Sequence, residues 1–178
     1  MKLDSDLDLI ARAKQELPYR TRAYEELMRR HEKLLFRVCL RIMGDEHDAE
    51  DVFQDVMVKA YHGLTKFEGR SSFKTWLCKI AHNTCYTAIS RLVKTREFKK
   101  LMSDDTSIPR ETRLSDAELD SEKMLLSLPP KDRELLTLKY VGEMTFDEIA
   151  EVSGLGLSAV KMRIYRAADL LKEKYSKP

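Results

Sequence analysis

SSFKTWLCKIAHNTCYTAISRL, residues 71–92, reads as one amphipathic helix whose two sides have different uses. At 3.6 residues per turn, Phe73, Leu77, Ile80, Ala81, Thr84, Ala88 and Leu92 share a side and form an ordinary core stripe. On the opposite flank Ser72, Trp76, Lys79, Asn83, Tyr86 and Ser90 recur every three or four residues, interleaving aromatic, cationic and amide groups. Two readings of that flank stand. Its rings can belong to a second packing surface, the usual fate of aromatics on helices. The interleaving favours the other reading: a ring stacks on an unpaired base, an ammonium neutralises phosphate, and an amide offers both donor and acceptor to a base edge. Immediately upstream, Lys66-Phe67-Glu68-Gly69-Arg70-Ser71-Ser72-Phe73 supplies a glycine-containing loop with two cations and two hydroxyls, suited to an extruded base or a phosphate at the helix N-terminus.

Length and composition set the frame around this helix. A chain of 178 residues with 43% apolar and 35% charged residues is globular and helix-leaning, with one ordinary core or two small ones. The net charge of +2 sums acidic and basic segments that lie apart, so its distribution matters more than its total. Cys39, Cys78 and Cys85 all fall within helical patterns, and an odd number without framework spacing argues for reduced thiols in a cytosol. Cys78, His82 and Cys85 share a helix face, yet three ligands on one helix leave tetrahedral zinc without a fourth, and no metal is expected. The acidic start MKLDSDLDLI lacks a basic n-region, and no apolar run approaches the ~20 residues of a membrane span, so neither export nor membrane insertion is indicated.

Upstream, residues 4–14 read as a short helix interrupted by Pro18, and 21–43 as a long one ended by Gly44. Residues 48–64 form a third, with Ala49, Val52, Phe53, Val56, Ala60 and Leu64 inward. Its outer face carries Asp48, Asp51, Gln54, Asp55 and Val58, which is either a solvated surface with acids at the dipole-favoured end or a docking face for a basic partner. Past Leu92, VKTREFKK (93–100) extends the central helix with basic residues that could follow a phosphate backbone. Residues 102–122 then turn rich in Ser, Thr, Asp and Glu, without periodicity until their end, and read as an acidic flexible linker.

Beyond it, Pro130 opens a helix that Gly142 ends, Thr145 and Glu148 form a capping box before FDEIAEVS, and Gly154 stops that segment. Ser158 is expected to cap a last helix reaching about Tyr175. Short capped helix, glycine turn and longer helix make a helix-turn-helix, with Val160, Ile164, Ala167, Ala168 and Leu171 inward. Ser158, Lys161, Met162, Tyr165 and Arg166 face out, with Arg163 at the margin. The expected fold is all-α: a helical bundle over 1–100 and a helix-turn-helix unit over 123–178, joined by the acidic linker 101–122.

Three segments, DAEDVFQDVMVKAY (48–61), FKTWLCKIAHN (73–83) and LPPKDRELLTLKYVGEMTFDEIAEVSGLGLSAVKMRIYRAADLL (128–171), together resemble the bacterial extracytoplasmic-function sigma factors, over nearly the whole chain. The resemblance implies a non-enzymatic, cofactor-free, cytoplasmic subunit that directs core RNA polymerase to promoters. It implies that Asp48, Asp51, Gln54, Asp55 and Val58 meet the clamp of the largest polymerase subunit, with a second contact to the flap. Lys66, Phe67, Arg70, Ser71, Ser72, Lys74, Trp76, Lys79, Asn83 and Tyr86 would take the unpaired strand of the minus-ten element. Ser158, Lys161, Met162, Arg163, Tyr165 and Arg166 would read the minus-thirty-five element as duplex. A partner anti-sigma factor is a further expectation. The chain departs from the family in having Met162 where a small hydroxyl residue is common, and in Ser90-Arg91-Leu92-Val93-Lys94 where an Arg-rich end is common; both bear on promoter preference. An ordinary helix-turn-helix repressor or activator is the competing class. No phosphate loop, Ser-His-Asp set or metal spacing supports an enzyme.

Overall fold

The structure is a computed structural model that describes residues 5–102 and 124–175, the side chains of 96–102 excepted. Seven named helices run in order: α1 (Asp6–Glu16), α2 (Arg22–Met43), α3 (Glu46–Leu64), α4 (Phe73–Met102), α5 (Pro130–Tyr140), α6 (Phe146–Ser153) and α7 (Leu157–Tyr175). A single helical turn at 124–126 precedes α5, and no strand occurs among the described residues. The linker expected at 101–122 lies, beyond its first two residues, outside the described residues.

Local chemistry sets most of the boundaries. Ser5 and Asp8 form a reciprocal capping box at the start of α1. Asp45 caps α3 by accepting from the Asp48 amide at 2.9 Å, and Ser72 caps α4 by accepting from the Thr75 amide at 3.0 Å. Thr145 and Glu148 build the expected capping box on α6, and Gly154 closes that helix in the left-handed conformation at φ +69°. One expectation fails. α7 begins at Leu157, with the Val160 amide donating to the Gly156 carbonyl at 3.0 Å, so Ser158 sits inside the first turn. The Gly154–Gly156 turn is tight enough for the helix to form two residues earlier.

α2 is the axis of the first four helices, packing against α1, α3 and α4 through Leu27, Met28, Leu35, Val38 and Cys39, all 1% exposed or less. α3 contributes Ala49, Val52, Val56, Ala60 and Leu64, as its periodicity requires. The last three helices enclose a smaller core of Leu135, Leu138, Met144, Ile149, Val160 and Ile164.

These two groups are docked, α5 against α2 and α6 against α4. At one end the Arg133 guanidinium donates to the Ile42 carbonyl at 3.2 Å, placing a cation where the α2 dipole is negative. Beside it Gly44 has φ +73°, and a Cβ there would lie 2.7 Å from Leu126 Cδ2. Gly44→Ala therefore combines left-handed strain with a displacement of the exposed Leu126 side chain. A loss of about 1–2 kcal/mol from the backbone alone is expected, read as a lower denaturant midpoint.

Candidate nucleic-acid interface

The central helix divides the flank identified in its sequence between two neighbours. Trp76 and Asn83 turn toward α3 and, with Lys59, Gly63, Lys66, Ile80, Thr84 and Thr87, line an open cleft. Lys79 and Tyr86 lie on the other edge, against the second group of helices. A stripe at spacings of three and four is wide enough to touch two partners, and α4 meets both.

The cleft is assembled from the back. Phe67 is 7% exposed, and its ring lies 5.6 Å from that of Phe73 and 5.1 Å from that of Trp76. Phe73 and Trp76 are near-parallel at 5.5 Å and 28°. Phe67, expected to meet the unpaired strand, is therefore in this conformation part of the packing that fixes the half-buried indole. Gly63 lies close against the same packing: a Cβ there would stand 3.0 Å from Trp76 Cζ2, and the indole would have to shift by a few tenths of an ångström. On the far wall Lys59 donates to Thr84 Oγ1 at 3.1 Å, and Thr84 donates on to the Ile80 carbonyl at 2.7 Å. The cleft thus presents an indole, two lysines, an amide and hydroxyls, which suits a flat base with its phosphate. Lys59, Gly63 and Thr87 carry no signal of their own in the sequence, and Thr84 reads there as part of the core stripe; only a pairing of α3 with α4 puts them together.

Of the upstream loop, Arg70 is exposed and paired with Glu68 at 2.6 Å, Ser71 is half-buried, and Ser72 is exposed while capping α4. The loop turns at Gly69, φ +72°.

The second edge of α4 is a polar seam. The Thr75 hydroxyl donates to Glu148 Oε1 at 2.5 Å, Lys79 meets Glu151 at 3.3 Å, and Lys74 donates to the Glu143 carbonyl at 3.3 Å. Further along, Lys131 lies 5.1 Å from the Tyr86 ring centroid. Between them His82 Nε2 and Glu134 Oε1 stand 2.5 Å apart, with side chains 7% and 8% exposed. His82 Nδ1 is 3.2 Å from Asn83 Oδ1, which links the seam to the cleft. Burial works against ionisation of Glu148, but hydrogen bonds from Thr75 and Thr145 and the charge of Lys74 hold its carboxyl below the ordinary range. Lys74, Lys79 and Tyr86, all expected at the downstream promoter element, are in this conformation partnered by the helix-turn-helix unit.

On α7, Ser158, Lys161, Met162, Arg163, Tyr165 and Arg166 are all exposed, Met162 at 75%. Arg163 is drawn aside to Asp132 at 3.6 Å, and Lys161 lies 5.8 Å from the Phe146 ring, which also meets Tyr165. On α3, Asp51, Gln54, Asp55 and Val58 are exposed together, while Asp48 is half-buried in the first turn. No described helix is long and apolar enough to cross a membrane.

The chain thus carries a helix-turn-helix unit with an exposed second helix beside a helical bundle with an aromatic and basic cleft. Family models agree: residues 27–95 match Sigma-70 region 2, and residues 121–171 match Sigma-70, region 4. The RNA polymerase sigma factor YlaC of Bacillus subtilis is 31% identical over 160 residues, covering 86% of this chain and 92% of the relative. The ECF RNA polymerase sigma factor SigW of the same organism is 27% identical, covering 85% and 88%. CnrH, solved with the cytosolic domain of CnrY, superposes with a TM-score of 0.71 at 28% identity, covering 97% and 98%. The fold is also that of RpoE from Bartonella quintana, solved with the anti-sigma factor NepR, at a TM-score of 0.72 and 24% identity, covering 89% and 100%. The chain belongs to the extracytoplasmic-function sigma factors, which bind RNA polymerase and recognise promoters.

Proposed function

We propose that the chain reads its promoter in two chemically different ways: α7 binds the minus-thirty-five element as duplex, and the α3–α4 cleft captures the unpaired strand of the minus-ten element. The observation that carries this is the cleft itself, where Trp76, Lys66 and Asn83 offer stacking, charge and a base-edge amide within one opening. Duplex bases are stacked on one another and cannot use such a site, so it favours melted DNA. Exposed Lys161, Met162, Tyr165 and Arg166 suit a major groove, with Met162 offering apolar contact to a thymine methyl.

In this reading residues 1–100 and 123–178 act as separate units on residues 101–122, and the seam opens when both surfaces engage DNA. Opening frees Lys74, Lys79 and Tyr86 for the captured strand. Asp48, Asp51, Gln54, Asp55 and Val58 dock on the polymerase clamp, and the second unit meets the flap. The bond-forming chemistry belongs to the polymerase. That CnrH was solved with the cytosolic domain of CnrY supports a protein partner for this chain, which this reading takes to be an anti-sigma factor.

The test is transcription by core bacterial RNA polymerase supplemented with the purified chain, using the chain's own upstream region as template. A single defined start, dependent on the chain, is expected. Tight duplex binding without any affinity for core polymerase would instead mark a repressor or activator.

A further inference from the structure

We propose that Lys14, on α1, is a positioning residue for strand capture, acting through the loop that joins α3 to α4. The proposal rests on the cleft reading above and extends it to a helix outside both matched segments, which span 27–95 and 121–171.

The Lys14 ammonium donates to the backbone carbonyl of Phe67, 53 residues along the chain, and lies 5.8 Å from the Phe67 ring centroid. It crosses from one helix to a loop, with no ionic partner among the described residues to explain its half-buried position. A lysine at an exposed helix end normally keeps its ammonium in water, so drawing it onto a carbonyl has a desolvation cost that the contact must offset.

What the contact fixes is the first peptide of the loop. The Lys66 and Phe67 amides donate to the Gly63 and Leu64 carbonyls at 3.0 and 3.1 Å, closing the end of α3. With Lys14 on its carbonyl, Phe67 has both backbone groups engaged, and its ring is held against Phe73 and Trp76. Downstream, the chain passes Glu68, Gly69 and Arg70, all exposed, before Ser72 fixes it again as the cap of α4. Lys14 therefore anchors the upstream end of an exposed loop and the ring that backs the Trp76 indole.

The anchor is itself fixed. Ala13, beside Lys14, is fully buried, and at the other end of α1 Asp6 holds Arg30 at 3.1 Å and His31 at 2.7 Å on α2. α1 thus transmits the rigidity of the bundle to the cleft, and freeing Lys14 lets the loop and Trp76 sample positions in which a base stacks poorly. The consequence falls on base discrimination, because a loose pocket loses the geometry that distinguishes one base edge from another.

The experiment uses the full chain with core polymerase and forked promoter DNA from its own upstream region, the downstream element unpaired and carrying either the native base or a substitution at each position. Lys14→Met keeps the stem and removes the donor; Lys14→Arg keeps a donor. Expected for Lys14→Met is unchanged affinity for core polymerase, an unchanged melting temperature, and a preference for the native base reduced about fivefold or more, with Lys14→Arg restoring most of it. An unchanged preference in Lys14→Met, or a uniform loss of binding to all forks that tracks a lower melting temperature, overturns the proposal and leaves Lys14 a packing contact. A wild-type chain without any base preference in the unpaired element removes the cleft reading and the role of Lys14 together. A wild-type preference that Lys14→Met retains removes only the latter.

Discussion

Trp76→Ala is expected to lower open-complex formation by roughly five- to 150-fold, the equivalent of the ~1–3 kcal/mol that one aromatic side chain contributes to stacking a base. Affinity for core polymerase should change little, because Trp76 is on α4 and none of the exposed acids of α3 lines the cleft. The indole also packs on Phe67 and Phe73, so part of any loss is structural. Measuring core binding and open-complex yield on the same preparation separates the two contributions. Equal loss of both would assign Trp76 to the core, the packing reading that its sequence position also permits. Trp76→Phe, which keeps a stacking face, should recover part of the open-complex yield.

Glu134→Ala is expected to destabilise the docked chain by about 1–3 kcal/mol, the usual cost of leaving a buried polar partner unsatisfied. The loss is large because His82 and Glu134 are both nearly excluded from water and each is the other's partner across the seam. Glu134→Gln retains an acceptor of similar shape and should cost less. The measurement is the denaturant midpoint of each variant, with core-polymerase affinity determined in parallel. If docking on the polymerase follows opening of the seam, affinity is unchanged or improved, since the binding-competent form is populated more. A fall in both stability and affinity would place the pair on the polymerase-facing surface instead.

Most helix ends, though not the start of α7, and the main buried stripe of each helix were legible because their causes are local. Gly44, Gly154 and the Thr145–Glu148 box act within one turn of where they stand, and the stripe of Phe73, Leu77, Ala81 and Thr84 follows from periodicity alone. The second buried stripe on α4, with Thr75, Cys78, His82 and Cys85, was not legible. Its partners include Glu134 and Glu148, 52 and 73 residues away, and a buried threonine or histidine looks like a surface residue until that partner is known. Phe67 illustrates the same limit in reverse. In a loop of polar residues it looked available to a ligand, whereas three rings converge on one another behind the cleft. The exposed face of α7 was readable because an amphipathic helix needs no distant partner to define its outside.

The proposed opening of the seam would also carry its own clock. Cys78 is fully buried, with Lys74, Cys39 and Glu148 as its charged or titratable neighbours, and burial pushes its thiol from the usual 9.0 up to about 11. In the docked form it is a protonated, shielded thiol that reacts sluggishly with alkylating reagents. On the proposed departure of α6 from α4, Glu148 leaves the neighbourhood of Cys78, and whatever burial α6 contributes to the thiol is lost. The rate at which a small electrophile modifies Cys78 thereby becomes a native kinetic readout of domain separation, one that needs no engineered label.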